Sequence, residues 1–557
     1  MTWSLVVVDD GITNATQQQA GKITSIEFDY YYNYPDTDDG VPNTHADSVF
    51  RSALQVSRAY DVVDLKVADA VLGDYRYSLV ELALRDVLDT PEVKVGAINM
   101  SFGGPVYPYE FADEISQLAS LGIISVVAAG NDGSTRNLES PSYPAALPDV
   151  ICVGSHDGAG NPSDFSQNGR QIDILADGED MPSPGSDGTS FATPRVAATV
   201  THVQAIVHGL TGNVLSVAQM VDVLHLGGAG PRSRPDPADG QTRYFLHDHN
   251  GSLDYAWSHY GGSQTRALEY VASYQDLITA IGPNSDAGRL HFERLGSVEE
   301  RGISFEGLSY LAANNDLIAA FGADELGASR HYIAIGQREG RATTFDSLDY
   351  IASYGDLIAA VGTNEAAGTF HYVSNGYREG RTTSFDGLDY IASYGDLIGA
   401  FGADGRAGSV HFIQNGYREG RTTSFDGLDY IASYGDLIAA LGADERAGSV
   451  HFIQNGFREA RTASFDGLDY IASYGDLITA LGADERAGST HFIARGYGEA
   501  RVSDSFDERQ YLANYADLRA AFGTDLEAAT RHFITAGYAE GRTDEALTRA
   551  AAADFLM

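Results

Sequence analysis

The stretch from Phe385 to Arg421, FDGLDYIASYGDLIGAFGADGRAGSVHFIQNGYREGR, decides how the C-terminal half of the chain folds, because it recurs. Its tyrosine returns at Tyr270, Tyr310, Tyr350, Tyr390, Tyr430, Tyr470 and Tyr511, a step of 40 residues with one insertion before the last copy. The histidine keeps pace at His291, His331, His371, His411, His451, His491 and His532, and a closing arginine at Arg301, Arg341, Arg381, Arg421, Arg461, Arg501 and Arg542. A fixed period of this length marks a repeat architecture, in which one small unit stacks on the next because none buries its apolar face alone. Within the unit, Asp396 stands as N-cap or first-turn acid of an apolar run that Gly402 stops. Asp404 opens a further helix through HFIQN, with Gly416 expected just past its end. A short helix over FDGLDYIAS precedes both. One histidine per copy is too few for a metal site, so the recurrent His and Arg are read as packing and hydrogen-bonding residues.

Residues 1–250 carry no such period. Their β-branched runs (SLVVVDD, GIISVVAAG, DVICVGS) alternate with helical patterns, which predicts a parallel sheet with helices on both faces. The punctuation GGAGPRSRPDPADGQ from Gly227 to Gln241, followed by an aromatic stretch, marks the boundary. The expected organisation is an α/β domain over 1–250, a linker over 251–266, seven helical repeats over 267–543 and a tail over 544–557.

At 557 residues the chain exceeds one ordinary core, and a 43% hydrophobic content suffices for packed interiors. Thirty-six basic against 77 acidic residues leave a net charge of −41. Such a field repels phosphate backbones and anionic lipid, which disfavours nucleic acid and membrane surfaces as partners. No apolar run is long enough for a membrane span, and MTWSLVVVDDGI lacks the basic start and apolar stretch of a signal peptide. The single cysteine, Cys152, excludes an intramolecular disulfide and thiolate zinc sites, and its apolar strand context predicts an inert core thiol.

The chemistry lies in four segments. VVVDDGI ends an apolar strand in Asp9, where α/β sheets place their active sites. VPNTHADSVF presents His45 at the head of a helical segment. VVAAGNDG places Asn131 just past a strand. SDGTSFATPRVAATV sets Ser190 at a helix start, where backbone N–H groups point outward to hold a negative oxygen. Each segment alone is weak, but the order Asp…His…Asn…Ser is one of the few orders in which a Ser-His-Asp triad with an oxyanion side chain occurs.

In these segments residues 1–250 resemble the subtilisin-like serine protease (subtilase) family. VVVDDGI is similar to its strand–Asp motif, in the Asp-Asp-Gly form of the kexin branch. GTSFATP, from Gly188 to Pro194, matches the nucleophile motif residue for residue. NTHADSV is similar to the His segment, with Pro42 and Asn43 before Thr44 and Ala46 and Asp47 after His45 as departures. The resemblance implies a subtilisin-like α/β domain with Asp9, His45 and Ser190 as triad and Asn131 as oxyanion donor. It further implies that INMSFGG (Ser101, Phe102, Gly103, Gly104) pairs with an extended substrate, and that Ala128, Ala129 and Gly130 wall the specificity pocket. No cofactor is required for the chemistry. Structural calcium is expected of the family, and DTDDG offers Asp36, Asp38 and Asp39 for it.

The family's usual N-terminal pro-domain is expected to be missing, since Asp9 follows so soon after Met1. AAADFLM at the end resembles the C-terminal signals of proteins exported through bacterial type I channels, which implies a secreted protein, with cytoplasmic residence as the alternative. The expected function is a serine endopeptidase acting on polypeptides. Its repeat tail would serve attachment or substrate capture, with a cell-surface or polysaccharide ligand. The alternative is a non-catalytic, surface-binding repeat protein on a degenerate protease scaffold.

Overall fold

The computed structural model describes residues 2–13, 16, 27–30, 44–57, 60–69, 74–91, 93–133, 140–167, 169, 171–179, 187–234 and 242–546. The expected calcium ligands Asp36, Asp38 and Asp39 and the terminal AAADFLM lie outside them. The chain forms two compact units, Met1–Tyr310 with Asp324–Thr343 and Leu311–Ala323 with Thr344–Met557.

The first unit is built on a parallel sheet. Its strands are β1 (Ser4–Asp9), β2 (Glu27–Asp29), β3 (Asp61–Lys66), β6 (Val95–Met100), β7 (Ile124–Ala128), β8 (Val150–His156) and β9 (Ile174–Asp177). Two antiparallel pairs lie apart, β4 (Ala68–Asp69) with β5 (Asp74–Tyr75) and β10 (Pro231–Arg234) with β11 (Thr242–Phe245). The seven strands run in the order β2-β3-β1-β6-β7-β8-β9, every neighbouring pair parallel. Strands covered on both faces read as continuous apolar runs, and SLVVVD in β1 is buried throughout. The helices are α1 (His45–Val56), α2 (Tyr77–Asp89), α3 (Ala112–Ser120), α4 (Thr189–Thr211) and α5 (Val217–Gly227). Most of α4 is buried all round, as a central helix must be. Cys152 is a buried free thiol, and burial raises its pKa well above the ordinary value.

The segment expected as a linker, 251–266, is largely helical instead: His249–His259, then Gln264–Ala272. Its aromatic stretch is a buried helix face, with Leu253, Ala256 and Trp257 inside. Asp248 and Ser263 cap the two helices by accepting from the N–H groups of Gly251 and Arg266. Among the described residues no helix is long and apolar enough to cross a membrane.

Each repeat has three short helices. In the copy quoted above they are Gly387–Ala392, Gly395–Phe401 and Gly405–His411. Asp386 caps the first, accepting from Leu388 N at 2.7 Å, and Asp404 caps the third, accepting from Ala407 N at 3.0 Å. Gly402 stops the second at φ 56°. After His411 the backbone widens into a turn over Phe412–Gly416, closed by Tyr417 N donating to Phe412 O, as Tyr377 N donates to Tyr372 O in the copy before, five residues apart instead of four.

Gly416, expected past the helix end, stays helical at φ −55°. A Cβ on it would lie 2.2 Å from the hydroxyl of Tyr390, so the glycine is required by close approach. The left-handed residue is Gly420, φ 71°. The same close approach recurs at Gly296, Gly336, Gly376, Gly456, Gly496 and Gly537 against that copy's own tyrosine. Each of the seven tyrosines is fully buried, with its hydroxyl 2.9–3.1 Å from Nδ1 of its copy's histidine. Arg421 bonds Asp396 and Glu419 and lies 4.8 Å over the ring of Tyr394. The recurrent His and Arg therefore hold the repeat itself.

Successive copies of the second unit are joined by a second set of contacts. Ser409 Oγ donates to Asp349 at 2.5 Å, Ser449 to Asp389, Ser489 to Asp429 at 2.5 Å and Thr530 to Asp469 at 3.2 Å. Tyr417, Phe457, Tyr497 and Tyr538 lie against Gly355, Gly395, Gly435 and Gly475, where a side chain would collide with the ring.

Candidate active site

Asp9 closes β1, which lies between β3 and β6 at the point where the strand order reverses, the crevice position of open α/β sheets. The turn that follows is tied down residue by residue. Gly11 adopts φ 95°, Ile12 N donates to Asp64 at 2.7 Å, and Thr13 N donates to the buried Asp47 of α1 at 2.8 Å. Thr44 donates to Gly11 O at 2.8 Å and caps α1 by accepting from Asp47 N at 3.0 Å. Asp10 holds the same helix start, accepting from Ala46 N at 2.7 Å and His45 N at 3.2 Å. A carboxylate there meets the positive end of the helix. Burial and the neighbouring Asp9 nonetheless push Asp10 up to about 6, with those backbone bonds pulling the other way.

Asp9 is fully buried. Its Oδ1 accepts from Asp10 N at 2.9 Å and from the Tyr75 hydroxyl at 2.6 Å, and it lies 2.9 Å from His45 Nδ1. His45 keeps 32% of its side chain exposed. Burial disfavours the imidazolium, but the charge and hydrogen bond of Asp9, with Asp10 behind, outweigh it and push the pKa up to about 9.

Ser190 is the second residue of α4. Four residues on, Pro194 has no N–H to give, so the Ser190 carbonyl lacks its helical donor. Ser101 Oγ supplies one at 2.9 Å. The exchange is reciprocal, for Ser190 Oγ donates to Ser101 O at 2.8 Å. That is its bond in this structure, in place of one to His45. The His45 ring lies 5.8 Å from that of Phe191, beside the start of α4.

Asn131 follows β7. Its Oδ1 accepts from Thr189 N and Thr189 Oγ1, each at 2.9 Å, which fixes its amide with Nδ2 turned away toward Gly188. Gly130 at φ 111° admits no side chain, since a Cβ would strike Gln167 at 1.7 Å.

The structure thus joins Asp9 with His45, Ser190 with Ser101, and Asn131 with Thr189. One expectation needs correction, and two others gain detail. Gly104 does not offer an open edge, because its N–H and C=O both bond Tyr143 at 2.9 Å. Phe102 turns into the core and stacks on Tyr75 at 4.8 Å. Ala128 ends β7 and Ala129 follows it, both buried, and Gly130 is the partly open member of that stretch. Sequence reasoning missed Thr189, Asp10, Asp47 and Tyr75. Thr189 and Asp10 each adjoin a residue it had singled out, whereas Tyr75 carries no spacing signal.

Residues 72–224 match the model of the Subtilase family. Over those residues the chain is similar to a subtilase domain. It is 34% identical over 154 residues to the subtilisin of Bacillus pumilus, a match covering 26% of this chain and 54% of that protein. Alkaline protease 1 of Aspergillus clavatus is 32% identical over 168 residues, 28% of this chain and 40% of that protein. The chain spans about half the length, or less, of these curated relatives. A crystal structure of a cold adapted subtilisin-like serine proteinase aligns at a TM-score of 0.37 and 24% identity, covering 44% of this chain and 89% of that one. The subtilase match includes Tyr75, Ser101, Asn131 and Ser190. Asp9 and His45 precede it.

Proposed function

We propose that the subtilase domain is a serine endopeptidase with Asp9, His45 and Ser190 as its triad. The observation that carries this is the buried Asp9 carboxylate 2.9 Å from His45 Nδ1 at the carboxyl end of the central strand. A carboxylate on Nδ1 fixes the tautomer that leaves Nε2 free to act as base. In the reaction the Ser190 hydroxyl turns from Ser101 O and gives its proton to that base. Oγ then attacks the peptide carbonyl carbon as Nε2 takes the proton. The negative oxygen that forms meets the Asn131 amide and the Ser190 N–H. Collapse expels the amine, which leaves with the proton from His45, and a water enters by the same route in reverse to release the acid.

Treatment with a fluorophosphonate tests this. The expected result is covalent modification of Ser190, abolished in Ser190→Ala. Labelling should speed up as pH rises toward about 9, because the imidazole is protonated below that value. A folded protein that resists labelling across this range refutes the triad and favours the scaffold alternative.

For the second unit we propose attachment or substrate capture, with a cell-surface or polysaccharide ligand and the protein acting outside the cell. Each of four copies presents one half-exposed ring, Tyr417, Phe457, Tyr497 and Tyr538, and exposed rings stack on sugar faces. Retention of the full chain on insoluble polysaccharide, lost on replacing the four rings by serine, is the expected result.

A further inference from the structure

The hydroxyl of Tyr75 lies 2.6 Å from Asp9 Oδ1, the oxygen that also stands 2.9 Å from His45 Nδ1. This bond has no part in the proton movements described above. It reaches the acid from outside the sheet, since Tyr75 sits in the short antiparallel pair β4–β5. The ring is not filling space at random. It stacks on Phe102 at 4.8 Å, and Phe102 follows Ser101, whose carbonyl holds the Ser190 hydroxyl.

We propose that Tyr75 is a positioning residue of the catalytic apparatus: it locks the rotation of the Asp9 carboxylate and sets how strongly that carboxylate draws a proton onto His45. A carboxylate has two equivalent oxygens and turns freely unless donors distinguish them. Here Oδ1 carries the bonds from Asp10 N and Tyr75, so Oδ1 is held toward His45 while Oδ2 stands farther off at 3.1 Å. A short bond from a neutral phenol also withdraws negative charge from the oxygen, which weakens its hold on the imidazolium. The phenol cannot answer by ionising: burial and the charges of Asp9 and Asp10 hold its pKa well above the ordinary value. The other charged or titratable groups around the pair are Asp10 on the turn, Asp47 on α1, and Asp64 and Lys66 on β3. Of these, Asp47 and Asp64 are tied to backbone N–H groups of the turn and Lys66 pairs with Asp29 at 3.3 Å. α4 brings Ser190 to this side, and the nearest cation on it, Arg195, bonds Ser52 and Asp177. Tyr75 is thus the neutral side-chain donor on Asp9.

The proposal rests on the triad reading, and the test separates the two. Tyr75→Phe keeps the ring on Phe102 and removes only the bond. It should lower kcat about 10-fold with KM within 2-fold, the loss expected for one hydrogen bond to a charged group. The acid limb of kcat/KM, and the His45 imidazole titration followed by NMR, should both move up by roughly half a pH unit. Tyr75→Leu removes the ring as well and should raise KM in addition, because Phe102 loses its support beside Ser101. If wild-type protein is labelled by the fluorophosphonate but Tyr75→Phe keeps the wild-type pH limb and kcat, the positioning role is wrong and the triad stands. If wild-type protein is not labelled at all, the triad is wrong and the positioning role goes with it. A Tyr75→Phe that loses stability and activity together while the imidazole titration stays fixed also overturns the proposal.

Discussion

Replacing Asp389 by asparagine should make the repeat array more stable at pH 8 and leave it unchanged at pH 4. Asp389 is 6% exposed and accepts a bond from Ser449 of the next copy. Burial, and behind it the charges of Asp386, Glu445 and Asp426, push its pKa up from 3.8 to about 8, against the pull of Ser449. An acid whose folded pKa is raised binds its proton more tightly when folded. Its stabilising share is therefore complete below the unfolded value near 4 and drains away as pH climbs to the folded value. At 1.36 kcal/mol for each pH unit, the whole interval is worth about 5 kcal/mol at this one site. Asparagine keeps an oxygen for Ser449 and removes the charge, so Asp389→Asn should recover about 3–5 kcal/mol at pH 8. Native-state hydrogen exchange of the amides at 387–392 and 446–452, at pH 4 and pH 8, measures it on the full chain. Equal protection of wild type and variant at pH 8, or a wild type whose protection does not fall between the two conditions, refutes the reasoning. Asp349 and Asp429, each pushed to about 7 by burial and neighbouring carboxylates, should behave alike.

Gly376→Ala places a methyl group 2.1 Å from the Tyr350 hydroxyl and should cost about 2–4 kcal/mol. Gly380→Ala, with nothing within 4 Å but φ 70°, should cost only about 1 kcal/mol. Urea midpoints rank the two, and the reverse order would contradict the close-approach account. At the position of Gly380 two other copies carry alanine, Ala460 at φ 54° and Ala500 at φ 56°. Ala460→Gly should therefore stabilise by about 1 kcal/mol in the same assay, and a loss of stability would be the wrong sign.

The repeat was legible because seven copies compare themselves: Tyr390, His411 and Arg421 stand out with no structure in hand. What the period did not reveal is why each is kept. Gly416 carries the same signal whether it ends a helix or clears room for a ring, and the ring comes from 26 positions upstream. Asp389 reads locally as an ordinary helix acid, yet its burial depends on Ser449, 60 residues on. In the first unit, Asp9 stands at a strand end, Asn131 just past one, and His45 and Ser190 at helix starts, as the sequence patterns indicate. The pairing of Gly104 with Tyr143 was hidden because a glycine pair reads the same whether its backbone is free or bonded. Tyr75 was hidden for a different reason: it reaches Asp9 across a strand pairing that no local pattern announces. The segment 251–266 was misread because its aromatic residues follow glycine-rich punctuation and so resemble loop.

The joint between neighbouring copies of the second unit is the same chemistry each time, a hydroxyl on one copy seated on a carboxylate of the copy before it. An interface that both accepts and presents the same surface has no fixed number of members. Unequal recombination within the gene could delete or duplicate a 40-residue block and leave every remaining seam intact, so the length of the tail is a quantity selection can adjust one step at a time without redesigning a single contact.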